Sequence, residues 1–324
     1  MRKIPASLAV LGLVAVGLVG CSLPGSNACA RPDASDSPAL DAVTVSGPID
    51  DAPDVELYTP FHTSSAAFQD TVVGEGTQIT TDTQLVVLDV TIISGETGEN
   101  LVETSYDGDL SRVSPVSRWI EVVPGFEDAL DCATEGSRIV VALPPGSIEA
   151  ATAESLEVGE DESAVAVVDV RKVYLSQADG ANQFNVGNGV PTVVRAPDGR
   201  PGIIVPEAAP PTDLVIQTIK KGTGPEVTGE EPVRVHYTGL TWADRTVFET
   251  TWDGEPKSIE LDSMLPGFAE ALIGQTVGSQ VMVVIPPDQA YGDQAQGPIP
   301  ADSTLVFVVD ILGIDQAAAS TDAG

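Results

Sequence analysis

The chain contains much of itself twice. Gly136-Ser137-Arg138-Ile139-Val140-Val141-Ala142-Leu143-Pro144-Pro145 aligns without a gap on Gly278-Ser279-Gln280-Val281-Met282-Val283-Val284-Ile285-Pro286-Pro287. Upstream, Gly125-Phe126-Glu127-Asp128-Ala129-Leu130 aligns on Gly267-Phe268-Ala269-Glu270-Ala271-Leu272, and the run from Glu103 to Gly108 on that from Glu249 to Gly254. Near the end of each copy, Val167-Val168-Asp169-Val170 aligns on Val308-Val309-Asp310-Ile311. A self-match of this extent means that one design is built twice.

Strand-like runs cover 83–93, 138–143 and 164–174 in the first copy, and 214–221, 234–240, 280–285 and 305–312 in the second. A short helix fits 266–273, with Pro266 suited to its first turn and Gly274 to its end. Phe268 and Leu272, at i and i+4, share the face that meets the sheet. Alternation in the strand at 234–240 sets Val233, Val235 and Tyr237 on one face and Arg234 and His236 on the other, so His236 is predicted to face solvent. The expected fold class is α+β: two domains, each a twisted antiparallel sheet of about five strands wrapped over a short helix.

With 324 residues, the chain is long enough for such domains plus connections. A net charge of −33 argues against nucleic acid and against anionic membrane surfaces, which both require clustered Lys and Arg. Met1-Arg2-Lys3 followed by an apolar run over 8–19 reads as a signal peptide, residues 1–20. Leu18-Val19-Gly20-Cys21 resembles a bacterial lipobox, which implies lipidation of Cys21 and a protein held at the cell membrane, outside the cytoplasm, by its lipid anchor. Simple secretion, with Cys21 a bystander, is the alternative. Residues 21–41 read as a flexible tether. The remaining cysteines, Cys29 and Cys132, are expected to pair in an oxidising compartment; no metal-ligand spacing surrounds either. The first copy is assigned to 42–177, a Pro/Gly-rich semi-rigid linker to 178–211, the second copy to 212–315 and a disordered tail to 316–324.

Aromatic residues make up only 5% of the chain, yet they concentrate in the second copy. Val235-His236-Tyr237-Thr238-Gly239, Val247-Phe248-Glu249-Thr250-Thr251-Trp252-Asp253, Met264-Leu265-Pro266-Gly267-Phe268, Ile285-Pro286-Pro287, Ala290-Tyr291-Gly292 and Thr304-Leu305-Val306-Phe307 follow in that order. In this order and spacing they resemble the FKBP-type peptidyl-prolyl isomerases over 212–314. The resemblance implies a cavity lined by Tyr237, Phe248, Phe268, Tyr291 and Phe307, with Met264, Leu265 and Ile299 completing the substrate wall. Phe268 would be the floor under a proline ring. The Tyr291 hydroxyl and the Leu265 N–H would meet substrate carbonyls, and Glu249 would bond the Tyr237 hydroxyl. Three residues depart from the family pattern: Glu249 where Asp is usual, Phe268 where Trp is usual, and Lys257 at a rim position commonly apolar. In the first copy Asp89 is aligned with Tyr237, Val102 with Phe248 and Ala166 with Phe307, while an aromatic-free segment, 146–159, replaces the Tyr291 turn. That copy reads as structural or as an interaction module.

The expected activity is rotation of X-Pro bonds in secreted or cell-envelope polypeptides. It needs neither nucleophile nor metal, and no cofactor is expected. A macrolide is the further ligand class that the resemblance brings. The alternative from another class is a non-catalytic polypeptide-binding lipoprotein.

Overall fold

In the computed structural model, which describes residues 29–316 apart from positions 36, 185, 186 and 188, each copy of the repeat is built on one large antiparallel sheet. The first copy comprises β1 (Val43–Ser46), β2 (Asp54–Leu57), β3 (Ala67–Val72), β4 (Leu85–Ser94), β5 (Asn100–Glu103), β6 (Ser114–Pro115), α1 (Val116–Val122), α2 (Glu127–Leu130), β7 (Arg138–Leu143), α3 (Ala150–Ser155) and β8 (Ala164–Val173). Then come β9 (Ala181–Asn182), β10 (Thr192–Arg195) and β11 (Pro201–Ile204). The second copy adds β12 (Val215–Lys221), β13 (Val233–Thr241), β14 (Val247–Thr250), β15 (Lys257–Ile259), α4 (Pro266–Leu272), β16 (Gln280–Ile285) and β17 (Leu305–Ile314). The sheets run β3-β7-β8-β4-β5 and β12-β16-β17-β13-β14, with β6 and β15 as corresponding short partners of β4 and β13. The α+β architecture and its duplication are those expected.

The two copies also match hydrogen bond by hydrogen bond. Gly74 N–H donates to Ser137 Oγ and Gly222 N–H to Ser279 Oγ, both at 2.9 Å. Gly136 N–H donates to Val170 O and Gly278 N–H to Ile311 O, both at 2.8 Å. A Cβ on Gly74 or Gly222 would stand 2.1 Å from the carbonyl oxygen of Glu135 or Val277, so this strand crossing admits only glycine.

Each sheet packs a pocket-side core against its helix and has a second apolar layer on its outer face. Phe126, Leu130, Val90 and Ile139 belong to the first core; Phe268, Leu272, Tyr237 and Val281 to the second. The outer layers correct the sequence reading. The β1–β2 hairpin, with Val43, Val45 and Leu57, covers Val140, Ala142 and Val165. The β10–β11 hairpin, with Val193 and Ile203, covers Met282, Val284, Val306 and Val308. Residues 178–211 therefore do not form a spacer. β9 pairs with β12, Ala178 N–H donates to Asp310 Oδ2 at 2.8 Å, and Trp242 Nε1 donates to Ala208 O at 3.1 Å. Apolar residues at alternate positions of the hairpin, with nowhere else to bury, bring the segment onto the sheet.

The described part of the tether is likewise docked. Arg31 forms a bidentate pair with Asp70 at 2.7 and 3.1 Å, Ser35 N–H donates to Phe68 O, and Leu40 is buried. A disulfide joins Cys29 to Cys132, with Cα atoms 5.4 Å apart. The two halves meet at Tyr174: Gln84 Nε2 donates to its carbonyl at 2.9 Å, Leu175 N–H to Leu312 O at 3.0 Å, and the Arg234 guanidinium lies 5.3 Å from its ring centroid. Residues 1–20, where a signal peptide is expected, Cys21 and residues 317–324 lie outside the described residues. Among the described residues no helix is long and apolar enough to cross a membrane.

Candidate functional site

The concave face of the second sheet gathers its aromatics because alternate positions of adjacent strands point the same way. Tyr237 on β13, Phe307 on β17 and Phe268 on α4 are buried, and Phe248 on β14 is half-buried against them. Phe268 and Phe307 meet edge to face at 5.1 Å, Phe248 and Phe307 at 5.5 Å, and Tyr237 and Phe268 at 6.0 Å between centroids. These are the offsets that the ring quadrupoles favour, so the wall holds its shape without a ligand. Gly239 makes the packing possible. A Cβ there would lie 2.6 Å from the Phe307 ring and 2.7 Å from that of Phe248.

Helix α4 supplies the floor. Leu265 precedes it, and its carbonyl accepts from Phe268 and Ala269 N–H at 2.9 and 3.0 Å. Its own N–H stands before the first turn, where no intrahelical acceptor exists. Met264 and Leu265 are half-buried beside the floor, and Ile299 is buried in the same cluster. Tyr291 lies in the long connection between β16 and β17. Its turn is tied by Gly292 N–H donating to Pro287 O at 2.8 Å, and the side chain is 36% exposed. The structure thus packs Tyr237, Phe248, Phe268 and Phe307 in one cluster with Met264, Leu265 and Ile299, while Tyr291 stands exposed in the connection outside that cluster.

The rim is charged. Lys257 Nζ lies 2.6 Å from Glu249 Oε1 and 5.8 Å from the centroid of the Tyr237 ring. Burial by itself would raise the Glu249 carboxyl, but hydrogen bonds with Lys257 and Tyr237 outweigh it and hold the group below the usual carboxylate range. Tyr237 is pushed well above the usual phenol range by burial first and by its bond to Glu249 second, so it remains a neutral donor. The longer arm of Glu249 thereby reaches both Tyr237 and the rim ammonium. The site holds no cluster of metal-ligating side chains among the described residues; the one such group lies at Cys29, Asp131 and Cys132, whose cysteines are paired.

His236 is a correction. It is 8% exposed, stacks on Trp252 at 4.4 Å, and its Nδ1 lies 2.8 Å from Thr251 Oγ1. Burial lowers its pKa from 6.5 to about 4, so the ring is neutral. The same Thr251 hydroxyl accepts from Tyr237 N–H at 2.9 Å, which ties the stack to the backbone of a wall residue. Sequence reasoning missed this because it gave the strand a solvated face. Trp252, next to Thr251, was the available signal.

The alignment of the first copy also shifts by one residue. Ala166 does stand opposite Ile92 as Phe307 stands opposite Gly239. Counting back along the paired strands, Val90 corresponds to Tyr237 and Asp89 to His236. Val102 corresponds to Glu249, and Leu101, inside the strand irregularity, to Phe248. Asp89 accordingly lies on the outer face, where it accepts from Thr104 Oγ1 at 2.8 Å and pairs with Arg171 at 3.6 Å. Only the floor aromatic persists, as the fully buried Phe126.

Residues 224–312 match the family described as FKBP-type peptidyl-prolyl cis-trans isomerase. A probable FK506-binding protein of Corynebacterium glutamicum is 34% identical over 114 residues, covering 35% of this chain and 97% of that protein. The FKBP-type peptidyl-prolyl cis-trans isomerase FkpA of Aeromonas hydrophila is 40% identical over 110 residues, covering 34% of this chain and 41% of that one. The solved structure of FkpA from Escherichia coli aligns at 32% identity over 39% of this chain and 52% of that one, with a TM-score of 0.31. The chain thus spans nearly all of the Corynebacterium relative and less than half of the Aeromonas one.

Proposed function

The chain belongs to the FKBP-type peptidyl-prolyl cis-trans isomerase family, and from that premise we propose that its second half rotates X-Pro bonds in exported polypeptides. Twisting an amide breaks its resonance, against a barrier of about 18–20 kcal/mol. The planar amide is the more dipolar form, so water favours it over the twisted one. A proline seated on Phe268 between Tyr237, Phe248 and Phe307 exchanges that water for ring faces and edges. The Tyr291 hydroxyl and the Leu265 N–H then donate to the substrate carbonyls. No proton is transferred, which suits an ionised Glu249 engaged with Lys257 and a neutral Tyr237.

The observation that carries this reading is the contiguous aromatic wall, with neighbouring centroids 5.1–6.2 Å apart. The setting, a lipid-anchored protein outside the cytoplasmic membrane acting on secreted or envelope chains, is part of the same proposal and rests on Cys21 and the segment before it. A macrolide would have to cover the Glu249–Lys257 pair, so weak macrolide binding is expected.

The test is acceleration of cis/trans exchange in a short X-Pro peptide by the full chain, with loss on Phe268→Ala. A chain that binds the peptide without accelerating exchange would be a polypeptide-binding module instead.

A further inference from the structure

The first half has a cavity of its own, away from the aromatic wall. In the second copy Leu305 opens β17; at the corresponding place β8 opens with Ala164, which is buried and small. Beyond it, the connection between β7 and β8 folds as α3 and turns back through Val158, and both Ala153 and Val158 pack on the first core. The result is a recess of about 670 Å³ whose apolar surface comes from Leu143, Ile148, Ala153, Val158 and Ala164. That volume lies in the range of pockets that hold an organic group. Its charged lining is all of one sign: Glu149, Glu154, Glu160 and Glu162 line it, and no Lys, Arg or His does. Glu149 is engaged in capping α3 through Thr152 N–H at 2.9 Å; Glu154 and Glu160 are exposed, and none of the four forms an ion pair among the described residues.

We propose that this recess binds a cationic polypeptide segment, with a bulky apolar side chain seated over Ala164 and flanking Lys or Arg side chains meeting Glu154, Glu160 and Glu162. The apolar lining sets the anchor, and the one-signed border sets the flanks, because buried apolar area carries affinity while complementary charge selects the partner and its approach. Proline plays no part in this recognition. A chain held here stays tethered beside the second half, which raises its effective concentration at the aromatic wall; that consequence rests on the isomerase reading, whereas the binding does not.

The probe is a fluorescein-labelled, proline-free peptide with a Leu-Phe-Leu centre between lysine pairs, titrated into the full chain at 150 mM salt and read by anisotropy. Controls are the same peptide with glutamate flanks and one of equal positive charge with a Ser-Gly-Ser centre. The lysine-flanked apolar peptide is expected to bind at least tenfold more tightly than either control. Ala164→Leu, which installs the residue of the second copy, and the surface pair Glu154→Lys with Glu160→Lys are each expected to weaken it at least tenfold. X-Pro exchange and the denaturant-unfolding transition of the same variants should stay unchanged, so that a folding defect in either half is visible. Absence of binding, equal binding of the Ser-Gly-Ser peptide, or binding untouched by the surface charge pair would overturn the proposal. So would loss of binding on Phe268→Ala with the Glu154 and Glu160 variants inert, since the aromatic wall would then be the site.

Discussion

Where β13 carries Tyr237, β4 carries Val90, yet the backbone around the two is the same. Tyr237 N–H donates to Thr251 Oγ1 at 2.9 Å and Val90 N–H to Thr104 Oγ1 at 3.0 Å; the returning Thr251 and Thr104 N–H groups each donate to the strand carbonyl at 3.0 Å. The copies differ in what they place on the concave face: Tyr237, Phe248 and Phe307 against Val90, Leu101 and Ala166. They differ equally on the outer face. Arg138 pairs with Asp169 at 2.6 and 2.7 Å and donates to Gly47 and Asp51 carbonyls in the β1–β2 turn. In the second copy Gln280 and Asp310 take those places, and Asp310 accepts from Gln280 and from Ala178 N–H. The backbone network specifies the fold; the side chains facing the cavity specify what the fold can bind. One scaffold can therefore lose a pocket on one side of a sheet without losing the sheet.

The floor rings offer the strongest way to break this division. Phe126→Ala and Phe268→Ala are each expected to destabilise their own half by about 3–5 kcal/mol, measured by denaturant unfolding. Only Phe268→Ala should remove X-Pro exchange. An equal loss from Phe126→Ala would mean that the first half shares the chemistry.

Next in size is the outer-face pair. Arg138→Ala leaves the Asp169 carboxylate buried without its partner and is expected to cost about 3–5 kcal/mol. Gln280→Ala leaves Asp310 with the Ala178 N–H and should cost less, about 1–3 kcal/mol. Arg138→Gln, which imitates the second copy, should fall between wild type and Arg138→Ala. Thermal unfolding of the set decides the order.

A smaller effect separates the halves by pH. The lowered pKa of His236 means that the unfolded chain takes up the proton first as pH falls. The second half is therefore expected to keep this contribution above about pH 6.5 and to lose it progressively towards pH 4. The first half has no imidazole at the corresponding place, which Asp89 occupies. His236→Asn should flatten the stability slope between pH 6.5 and 4 relative to wild type. An unchanged slope would show that the ring is not the group responsible.

The smallest expected effect is at the rim. Tyr291→Phe removes one hydroxyl and should slow exchange by an amount equivalent to about 0.5–1.5 kcal/mol. Glu249→Gln should be tolerated, with a flat pH–rate profile, because nothing titrates in the reaction. A bell-shaped profile would replace amide rotation in a dry pocket with acid–base chemistry.

The repeat, the short helix and most long strands were legible in the sequence, because turn glycines, core apolar residues and strand alternation are local signals. Runs at 138–143 and 164–174 became Arg138–Leu143 and Ala164–Val173, and the helix at 266–273 became Pro266–Leu272. Grouping of the aromatics into one wall was legible only through the family resemblance, since Tyr237 and Phe307 are neighbours through strand pairing and not through sequence. The one-residue slip at Asp89 has a definite source. Matching Glu103 to Glu249 follows letters, whereas hydrogen bonding matches Thr104 to Thr251, and an irregularity in each hairpin conceals the difference from any ungapped alignment.

By itself the sequence determined that one antiparallel design occurs twice and that only the second copy has the aromatics for a dry pocket. Tertiary structure alone decided that the central strands of both sheets, β4, β8, β13 and β17, are covered on both faces. The hairpins at 43–57 and 192–204 carry too few apolar residues to announce a core, but laid on the sheets they cover Val140, Ala142 and Val165 in the first copy and Met282, Val284, Val306 and Val308 in the second. Alternation records how many faces a strand has, and only packing tells which of them meet water.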